Sequence, residues 1–298
     1  MSRFSKSPVR VARRALAAGR ASLRDHNHKH SPKKYTQPQL FACLVLKVFS
    51  KNDYRGIAQL LADLPDLRRV LGLPCAPHWT TLHKAAGRLL ERRRVRRQLH
   101  FTVRRVLGRR QRVKRAALDS TGFETGHTSH YYARRRAKRA NPKEKVRYSR
   151  FAKLEAAFDC ATHLILGAIP RRGPAVDTDR FIPLLDEALR EVKISVALAD
   201  AGYDSEGNHR HAREKRGVKS FMPATAGRPT TKPPTGRYRR QMKQRLNKDY
   251  GSYGQRWQAE TGFSVVKRRL GSAVNGRSYQ SQCRELMLFV LTYNLMII

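Results

Sequence analysis

Acidic residues are scarce in this chain. Its 298 residues include 22 Asp and Glu against 63 Lys and Arg, so the formal net charge is +41 at pH 7. Solubility alone does not require such an asymmetry. A cationic excess of this size indicates a polyanionic partner, and nucleic acid is the commonest one.

Long apolar runs and paired cysteines are also missing. No apolar stretch approaches the length of a membrane span, and the N-terminus has no apolar signal core. We therefore expect a cytoplasmic protein that works at the nucleoid if DNA is its partner. The four cysteines lie far apart without CxxC pairs, which predicts small core residues in a reducing compartment. Hydrophobic residues make up 40% of the chain, enough for a real core.

The N-terminal third is predicted to be basic and helical. Residues 1–34 are predicted to form a flexible basic arm, in which the weakly amphipathic stretch Val9 to Leu23 forms a short helix suited to phosphate contact. Residues 35–110 are predicted to form a helical domain. This domain is either a helix-turn-helix-like DNA-binding module or a packing domain whose arginines are merely solvated. Its helices are expected over 37–48 and 54–64 and from an N-cap at Thr80 or Thr81 to Leu90, followed by the arginine run at 92–97.

Residues 111–298 change to alternating patterns and are predicted to form an α/β domain. Strands are expected at 113–118, 151–158, 163–169, 194–199 and 218–222, and helices at 178–192, 205–216, 250–270 and 286–298. Residues 223–251 are rich in Pro, Gly and basic residues, which predicts a flexible loop or small insertion. The last apolar segment stops at Ile298 without a cap or polar tail, which leaves open whether the natural chain continues.

Two of the predicted strands end in an aspartate, and a later helix carries a glutamate. Asp119 lies in the segment ALDSTG and Asp200 is the first aspartate of the segment ALADAGYD. Glu260 lies in the helix predicted over 250–270. Carboxylates at the ends of strands emerge where α/β folds place their ligands. Three carboxylates meeting there would hold two divalent metal ions about 4 Å apart. Oxygen ligands favour Mg²⁺ or Mn²⁺ over zinc.

The helix that carries Glu260 also carries phosphate-binding side chains. Tyr253, Arg256, Glu260 and Lys267 follow one another at spacings of three, four and seven residues. At roughly 100° per residue they fall within about 60° of one helix face. One acid held among a phenol, a guanidinium and an ammonium indicates metal-assisted work on a polyanion.

With these motifs the chain resembles bacterial insertion-sequence transposases of the DDE class, whose catalytic core is RNase H-like. The resemblance lies in the YREK signature Y-x2-R-x3-E-x6-K, matched by Tyr253, Arg256, Glu260 and Lys267, and in the DSTG and DAGYD segments. It extends from about Tyr35 to the C-terminus. It implies an RNase H-like mixed sheet flanked by helices, preceded by an all-helical N-terminal DNA-binding domain.

The resemblance also implies roles for these residues. Asp119, Asp200 and Glu260 would bind two Mg²⁺ ions, with Mn²⁺ as a substitute. Arg256 and Lys267 would grip phosphates of the transposon end, and Tyr253 would contact its backbone or terminal bases. The implied reaction is metal-dependent cleavage at the terminal inverted repeats, followed by transesterification of the 3′-hydroxyl into target DNA by a dimer or higher assembly.

The segment after the first acidic strand combines aromatic and basic residues. Basic residues neutralise DNA phosphates and aromatic rings stack on unpaired bases, so this segment is a candidate DNA contact. The alternative is a disordered, solvated loop. The candidate contact residues are Tyr131, Tyr132, Arg134, Arg135 and Arg136.

Structural alternatives remain open for each acid. The alternatives are an ion pair between Glu260 and Arg256 one turn away, a turn role for Asp119, and a helix cap or Asx-turn for Asp200. Among rival carboxylates, Asp204 is the one placed to support the site indirectly. Trp257 is expected to face away from Glu260 and lie in the core.

Two alternative functions also remain. One is a related metal-dependent nuclease that only cuts DNA, and the other is a transposase-derived DNA-binding protein without catalysis. The sequence does not specify the terminal repeats, the target site, the excision route, the number of subunits or whether the element is still active.

Overall fold

The computed structural model describes residues 4–108, 111–125, 151–224, 233–245 and 250–298. Residues 4–108 fold into helices, and the helices predicted over 37–48 and 54–64 are confirmed. The first of these begins with a capping box, because Thr36 and Gln39 exchange hydrogen bonds between side chain and backbone. The helices are α1 Pro8–Ser22, α2 Gln37–Phe49, α3 Tyr54–Asp63, α4 Pro65–Leu71, α5 Trp79–Leu89 and α6 Arg92–Leu107.

The basic N-terminal segment belongs to the core over its helical part. Val11 and Ala12 of α1 are fully buried. Gly19 allows α1 to approach α2 closely, because a Cβ at Gly19 would lie 2.8 Å from the Cα of Pro38. The short helix predicted over Val9 to Leu23 is confirmed as α1, but its apolar stripe packs on the neighbouring helices, so residues 8–22 are not a flexible arm. The proposed domain boundaries at 34/35 and 110/111 stay predictions.

α5 begins before the two threonines that were expected to cap it. The N-cap is His78, which has an extended backbone and whose Nδ1 accepts the Thr80 N–H at 3.4 Å. Thr80 lies inside the first turn, so the prediction of Thr80 or Thr81 as the N-cap is wrong. An imidazole nitrogen supplies the acceptor that the hydroxyls were expected to supply.

A mixed sheet forms the second part of the fold. β1 pairs antiparallel with β2 and β2 antiparallel with β3, whereas β1 pairs parallel with β4 and β4 parallel with β5. The spatial order is β3-β2-β1-β4-β5, with β6 beside the end of β1. This is the RNase H-like arrangement, so the predicted fold class is confirmed. The strands are β1 Arg112–Thr125, β2 Phe151–Asp159, β3 Ile165–Gly173, β4 Lys193–Ala199, β5 Lys219–Phe221 and β6 Ala273–Val274.

β1 is longer than its sequence suggested. The predicted strand stopped at Leu118, with the following Ser-Thr-Gly as a turn. In the structure these residues continue the strand, and Gly122 pairs with Lys153 of β2. The glycine accommodates the ring of Phe151, which would lie 3.0 Å from a Cβ at this position. Pairing with a distant strand thus overrides the local turn propensity of these residues.

Helices cover both faces of the sheet. α7 (Phe181–Leu189) packs on one face, and α11 (Trp257–Leu270) and α12 (Tyr279–Ile297) pack with the N-terminal helices on the other. On the second face the Phe158 and Phe263 rings meet edge to face at 5.0 Å. Gly262 allows this approach, because a Cβ there would lie 2.4 Å from a carbon of the Phe158 ring. In the described parts of the chain, no helix combines the length and apolar character that crossing a membrane requires.

The Pro- and Gly-rich segment contains a helix. α9, Arg237–Arg245, follows α8, Glu206–Arg210, which a π-helical turn continues through Lys215. The Glu206 carboxylate accepts the Tyr238 N–H at 3.1 Å and so caps the start of α9. Of the two predicted alternatives, the flexible loop is therefore wrong over Arg237–Arg245, and the small insertion stays a prediction. The capping group lies some thirty residues away in sequence, so the local sequence did not reveal the helix.

The helix predicted over 250–270 is interrupted. It divides into α10, Tyr250–Tyr253, a 3₁₀ turn at Gly254–Arg256, and α11. Tyr253 and Arg256 therefore precede the helix that carries Glu260, and the four signature residues do not follow one uniform 100° spacing. The final predicted helix is confirmed as α12, which starts earlier at a capping box of Ser278 and Ser281.

Candidate active site

The fold brings Asp119 and Asp200 side by side. β1 and β4 run parallel with Leu118 opposite Ala199, and the two aspartates are the next residue on each strand. β4 ends at this point, whereas β1 continues with β2 on its other side. Asp119 thus lies where its parallel neighbour ends, and the predicted juxtaposition is present although Asp119 does not end its own strand.

Backbone groups hold one oxygen of each aspartate. Oδ1 of Asp119 accepts the Ser120 N–H at 2.8 Å, and Oδ1 of Asp200 accepts the Gly202 N–H at 3.0 Å. Asp200 is the N-cap of a 3₁₀ turn, which is one of the structural alternatives that its sequence left open.

Glu260 reaches this region from the first turn of α11, which packs on β1 and β2. Its carboxylate forms an ion pair with the Arg256 guanidinium one turn earlier. The local ion pair that was the structural alternative for Glu260 is therefore present. The Glu260 side chain keeps 55% of its surface exposed, so this pair is open to solvent and to ligands.

Electrostatic coupling joins the three carboxylates. Burial raises the pKa of Asp119 to about 6, and the charges of Asp200 and Glu260 add to the rise, while the Ser120 N–H and Arg256 oppose it. Burial also raises the pKa of Asp200. Burial acts to lower the pKa of Arg256, but the hydrogen bond and charge of Glu260 outweigh it and raise this pKa overall. Asp119 therefore senses both of the other predicted ligands.

The donor set fits a hard divalent cation. Asp119 and Asp200 offer neighbouring carboxylate oxygens, and oxygen-only ligation is what Mg²⁺ and Mn²⁺ prefer. As the side chains stand, no three His, Cys, Asp or Glu residues of the described ranges are close enough together to hold one metal ion. The Glu260 carboxylate is held by Arg256 instead. Bringing all three acids to one ion requires Glu260 to exchange this partner.

The other signature residues occupy different surroundings. Tyr253 packs against the small apolar cluster of Leu198, Phe221 and Met242. Lys267 lies two turns beyond Glu260 on α11, with its Nζ 5.4 Å from the centre of the Phe123 ring. Burial lowers the pKa of Lys267. Their predicted roles in phosphate binding stay predictions.

Trp257 is not a core residue. The indole is 51% exposed at the start of α11, directly after Arg256. Trp257 and Glu260 lie three residues apart in one unbroken helix and therefore share a face, so the prediction that Trp257 faces away from Glu260 is wrong. Five of the predicted DNA-contact residues lie outside the described residues, namely Tyr131, Tyr132, Arg134, Arg135 and Arg136.

A charged network beside the aspartates was not predicted. The Lys153 ammonium of β2 pairs with Asp177 and donates to the carbonyl oxygen of Ala175 at 3.1 Å. The Ser120 hydroxyl donates to Oδ2 of Asp177 at 3.1 Å. Lys153 is only 8% exposed, and the presence of Lys153 and Glu155 in the otherwise apolar run FAKLEAAF was a signal that could have revealed buried charges here. This network holds the loop before α7 against the strand of Asp119.

Comparison with known proteins agrees with this arrangement. The family model described as "Transposase DDE domain" matches residues 114–295, more than half of the chain. No curated protein matches the sequence. The fold is similar to a piggyBac transposase in a synaptic complex with hairpin DNA, at 11% identity and a TM-score of 0.45 over all of this chain and 76% of that one. It is also similar to the Mos1 strand transfer complex, at 14% identity and a TM-score of 0.27 over 87% and 71% of the two chains.

At these TM-scores the structural similarities add no argument of their own. The family model spans β1 to α12 and so includes all three acids. Because the family model matches more than half of the chain, the chain belongs to the family of transposases with a DDE domain.

Proposed function

We propose that Asp119, Asp200 and Glu260 are the catalytic carboxylates with which this protein cuts DNA at transposon ends and joins the 3′-hydroxyl to target DNA. The observation that carries this proposal is the pair of aspartates at the end of the β1–β4 pairing. The charge of Glu260 acts on the same pair. Chemistry on a phosphodiester is assisted by divalent metal ions, and neighbouring carboxylates can hold such ions.

The three carboxylates are the proposed ligands of two Mg²⁺ ions, for which Mn²⁺ can substitute. When bound, the ions lower the pKa of the attacking water or 3′-hydroxyl and stabilise the leaving oxygen. The backbone N–H groups of Ser120 and Gly202 fix Asp119 and Asp200 before any ligand arrives. Asp119 must lose its proton to become a ligand, and its raised pKa makes this step sensitive to pH.

Arg256 couples metal binding to DNA binding in this proposal. Its guanidinium now pairs with Glu260. If Glu260 held a metal ion, Arg256 would be free to bind a phosphate, which guanidinium groups bind well. A phosphate that takes Arg256 likewise releases Glu260. Each partner exchange therefore favours the other, so the site is completed only when both DNA and metal are present.

Further residues are assigned to DNA contact under the same proposal. Lys267 and Arg256 bind phosphates of the transposon end, and Tyr253 contacts its backbone or terminal bases. We assign the same role to Tyr131, Tyr132, Arg134, Arg135 and Arg136. The chain is then a bacterial insertion-sequence transposase with the YREK signature, whose helices over 35–110 bind DNA and which pairs two terminal inverted repeats as a dimer.

Cleavage of DNA that carries the flanking inverted repeats tests the proposal. The parent protein is expected to cut it with Mg²⁺ or Mn²⁺ and not with EDTA, and to give joined products when target DNA is added. Asp119→Asn, Asp200→Asn and Glu260→Gln should each abolish cutting while retaining DNA binding. Asp66→Asn is the matched control, because Asp66 is an exposed acid paired only with Arg69 on α4.

The outcomes separate the alternatives. Cleavage without joined products indicates a metal-dependent nuclease. Binding to the repeats without cleavage, in the parent as in the variants, indicates a DNA-binding protein that has lost catalysis. Cleavage that survives Glu260→Gln contradicts the proposed set of ligands.

A further inference from the structure

α9 carries an unusual concentration of positive charge. Its sequence RYRRQMKQR contains no acid, and Arg237, Arg240 and Lys243 are exposed to solvent. These three follow one another every three residues, so they lie near one another along the helix. Like charges at this spacing repel and disfavour an isolated helix. The fold must therefore stabilise α9 from outside.

Acidic residues within α8 and on either side of it provide this stabilisation. The side chain of Asp204 is fully buried. Its Oδ2 accepts a hydrogen bond from Nε of Arg239 at 2.9 Å and forms an ion pair with a terminal nitrogen of the same guanidinium at 2.8 Å. Glu206 caps the helix by accepting the Tyr238 and Arg239 N–H groups at 3.1 and 3.2 Å. Glu214 accepts the Tyr238 hydroxyl at 3.0 Å. Three of the 22 acids in the chain are thus used to hold one nine-residue helix in place.

The anchored helix lies next to the candidate active site. Met242 of α9 is 3% exposed and packs with Leu198 of β4 and Phe221 of β5. Leu198 is two residues before Asp200, and Tyr253 packs against the same cluster. α9 is therefore fixed at the end of β4 where Asp200 emerges, and it also adjoins the segment that leads to Arg256.

The anchoring acids leave the exposed charges of α9 unneutralised. They contact Arg239, Tyr238 and the helix backbone. In the described part of the chain, neither Arg240 nor Lys243 forms an ion pair. Their positions are rigid because α9 is capped, salt-bridged and packed at the same time. A rigid row of unpaired cations beside a phosphodiester-processing site is complementary to a second stretch of phosphates.

We infer that α9 is a DNA-backbone contact surface, in which Arg240 and Lys243 bind phosphates of the duplex that flanks the candidate active site and Asp204 positions the helix through Arg239. This inference rests on the proposed function, because it takes DNA as the substrate. It adds a contact surface that lies outside the YREK signature. Phosphate contacts carry no sequence information, so α9 positions the duplex without selecting its sequence.

Lysine footprinting tests this surface on the unmodified protein. The full chain is treated with an amine-acetylating reagent with and without a duplex oligonucleotide, in the absence of divalent metal, and acetylation is measured by mass spectrometry. Lys243 should be protected by the DNA. The internal control is Lys193, which is also exposed but lies at the other end of β4. Equal protection of both lysines, or protection of Lys193 alone, overturns the inference.

Charge-removal variants give a second, quantitative test. The variant Arg240→Gln/Lys243→Gln should bind duplex DNA more weakly and reduce the slope of log affinity against log salt by about 1.8, because each phosphate contact contributes about 0.9. The matched control is Arg112→Gln/Lys193→Gln, a pair of exposed cations that face each other in register at the opposite end of the sheet. It should leave the slope unchanged.

The anchor is tested separately with Asp204→Asn, followed by circular dichroism to verify the fold. It should lower DNA affinity in the same direction although it removes a negative charge, which general electrostatics predicts to raise affinity. All binding is measured without metal, so binding and cleavage are tested separately. If DNA protects Lys243 but the protein does not cleave DNA, the proposed function alone is rejected. Normal cleavage with an unchanged salt slope in Arg240→Gln/Lys243→Gln rejects the α9 surface alone.

Discussion

Acid should destabilise the protein through one buried histidine. His209 lies on α8 with no exposed surface, and its Nδ1 is 2.7 Å from the Ser220 hydroxyl. Burial and, to a smaller extent, the charge of Arg213 lower the pKa of His209 to about 4. Asp204 lies 3.9 Å from Nε2, but its charge is already matched by Arg239. The imidazole is therefore neutral in the folded protein near neutral pH.

The size of the effect follows from this shift. The ordinary pKa is 6.5 and the folded value is about 4, a difference of 2.5 units. At about 1.36 kcal/mol per unit, this corresponds to about 3 kcal/mol. Because the folded state holds the neutral form, the unfolded chain binds the proton more readily. The stability is thus fully present above pH 6.5 and is lost as the pH falls toward about 4.

Urea unfolding of the parent and of His209→Asn measures this contribution. Asparagine can still bond the Ser220 hydroxyl but does not titrate. Between about pH 7 and about pH 4 the parent should lose about 3 kcal/mol more unfolding free energy than the variant, since other groups titrate in both. Equal losses in the two proteins would refute the reasoning. The variant itself should be less stable at neutral pH, because it leaves space where the ring was.

Three further predictions concern packing and the surface. Lys153→Met should cost about 3 kcal/mol in urea unfolding because it strands the Asp177 carboxylate, and adding Asp177→Asn should restore much of the loss. Gly262→Ala should cost about 1–3 kcal/mol in the same assay through overpacking, whereas Gly251→Ala, which meets nothing within 4 Å, should not destabilise. Trp257→Ala should leave stability within about 0.5 kcal/mol but weaken binding of single-stranded DNA, measured by fluorescence anisotropy, by about 1–3 kcal/mol.

Much of the fold follows from patterns that are local in sequence. The strands β2, β3 and β4 were predicted to within a few residues because apolar and β-branched runs bounded by turn residues define them. The placement of Asp119 near Asp200 was predicted for the same reason, since carboxylates at the ends of neighbouring parallel strands meet at one edge. These features depend on residues that lie next to one another in the chain.

Three of the errors share a different cause, which is a partner distant in sequence. Ser120 continues β1 because β2 pairs with it, although its Ser-Thr-Gly context favours a turn. α9 forms because Glu206 and Asp204 cap and anchor it from outside. Lys153 is buried because its ammonium group forms an ion pair with the carboxylate of Asp177. Each of these partners lies outside the helix or strand that it stabilises. Local sequence propensity therefore predicted the wrong secondary structure or missed the buried charge.

Replacement of Mg²⁺ by Fe²⁺ gives the most direct test that the three acids form one metal site. With ascorbate and peroxide, bound Fe²⁺ produces radicals that cut the polypeptide near the metal. Our account predicts cuts around residues 119, 200 and 260 in the DNA-bound protein, suppressed by excess Mg²⁺ and reduced by Glu260→Gln. Cuts confined to other segments, or cuts at these three that Mg²⁺ does not suppress, would contradict the proposed site.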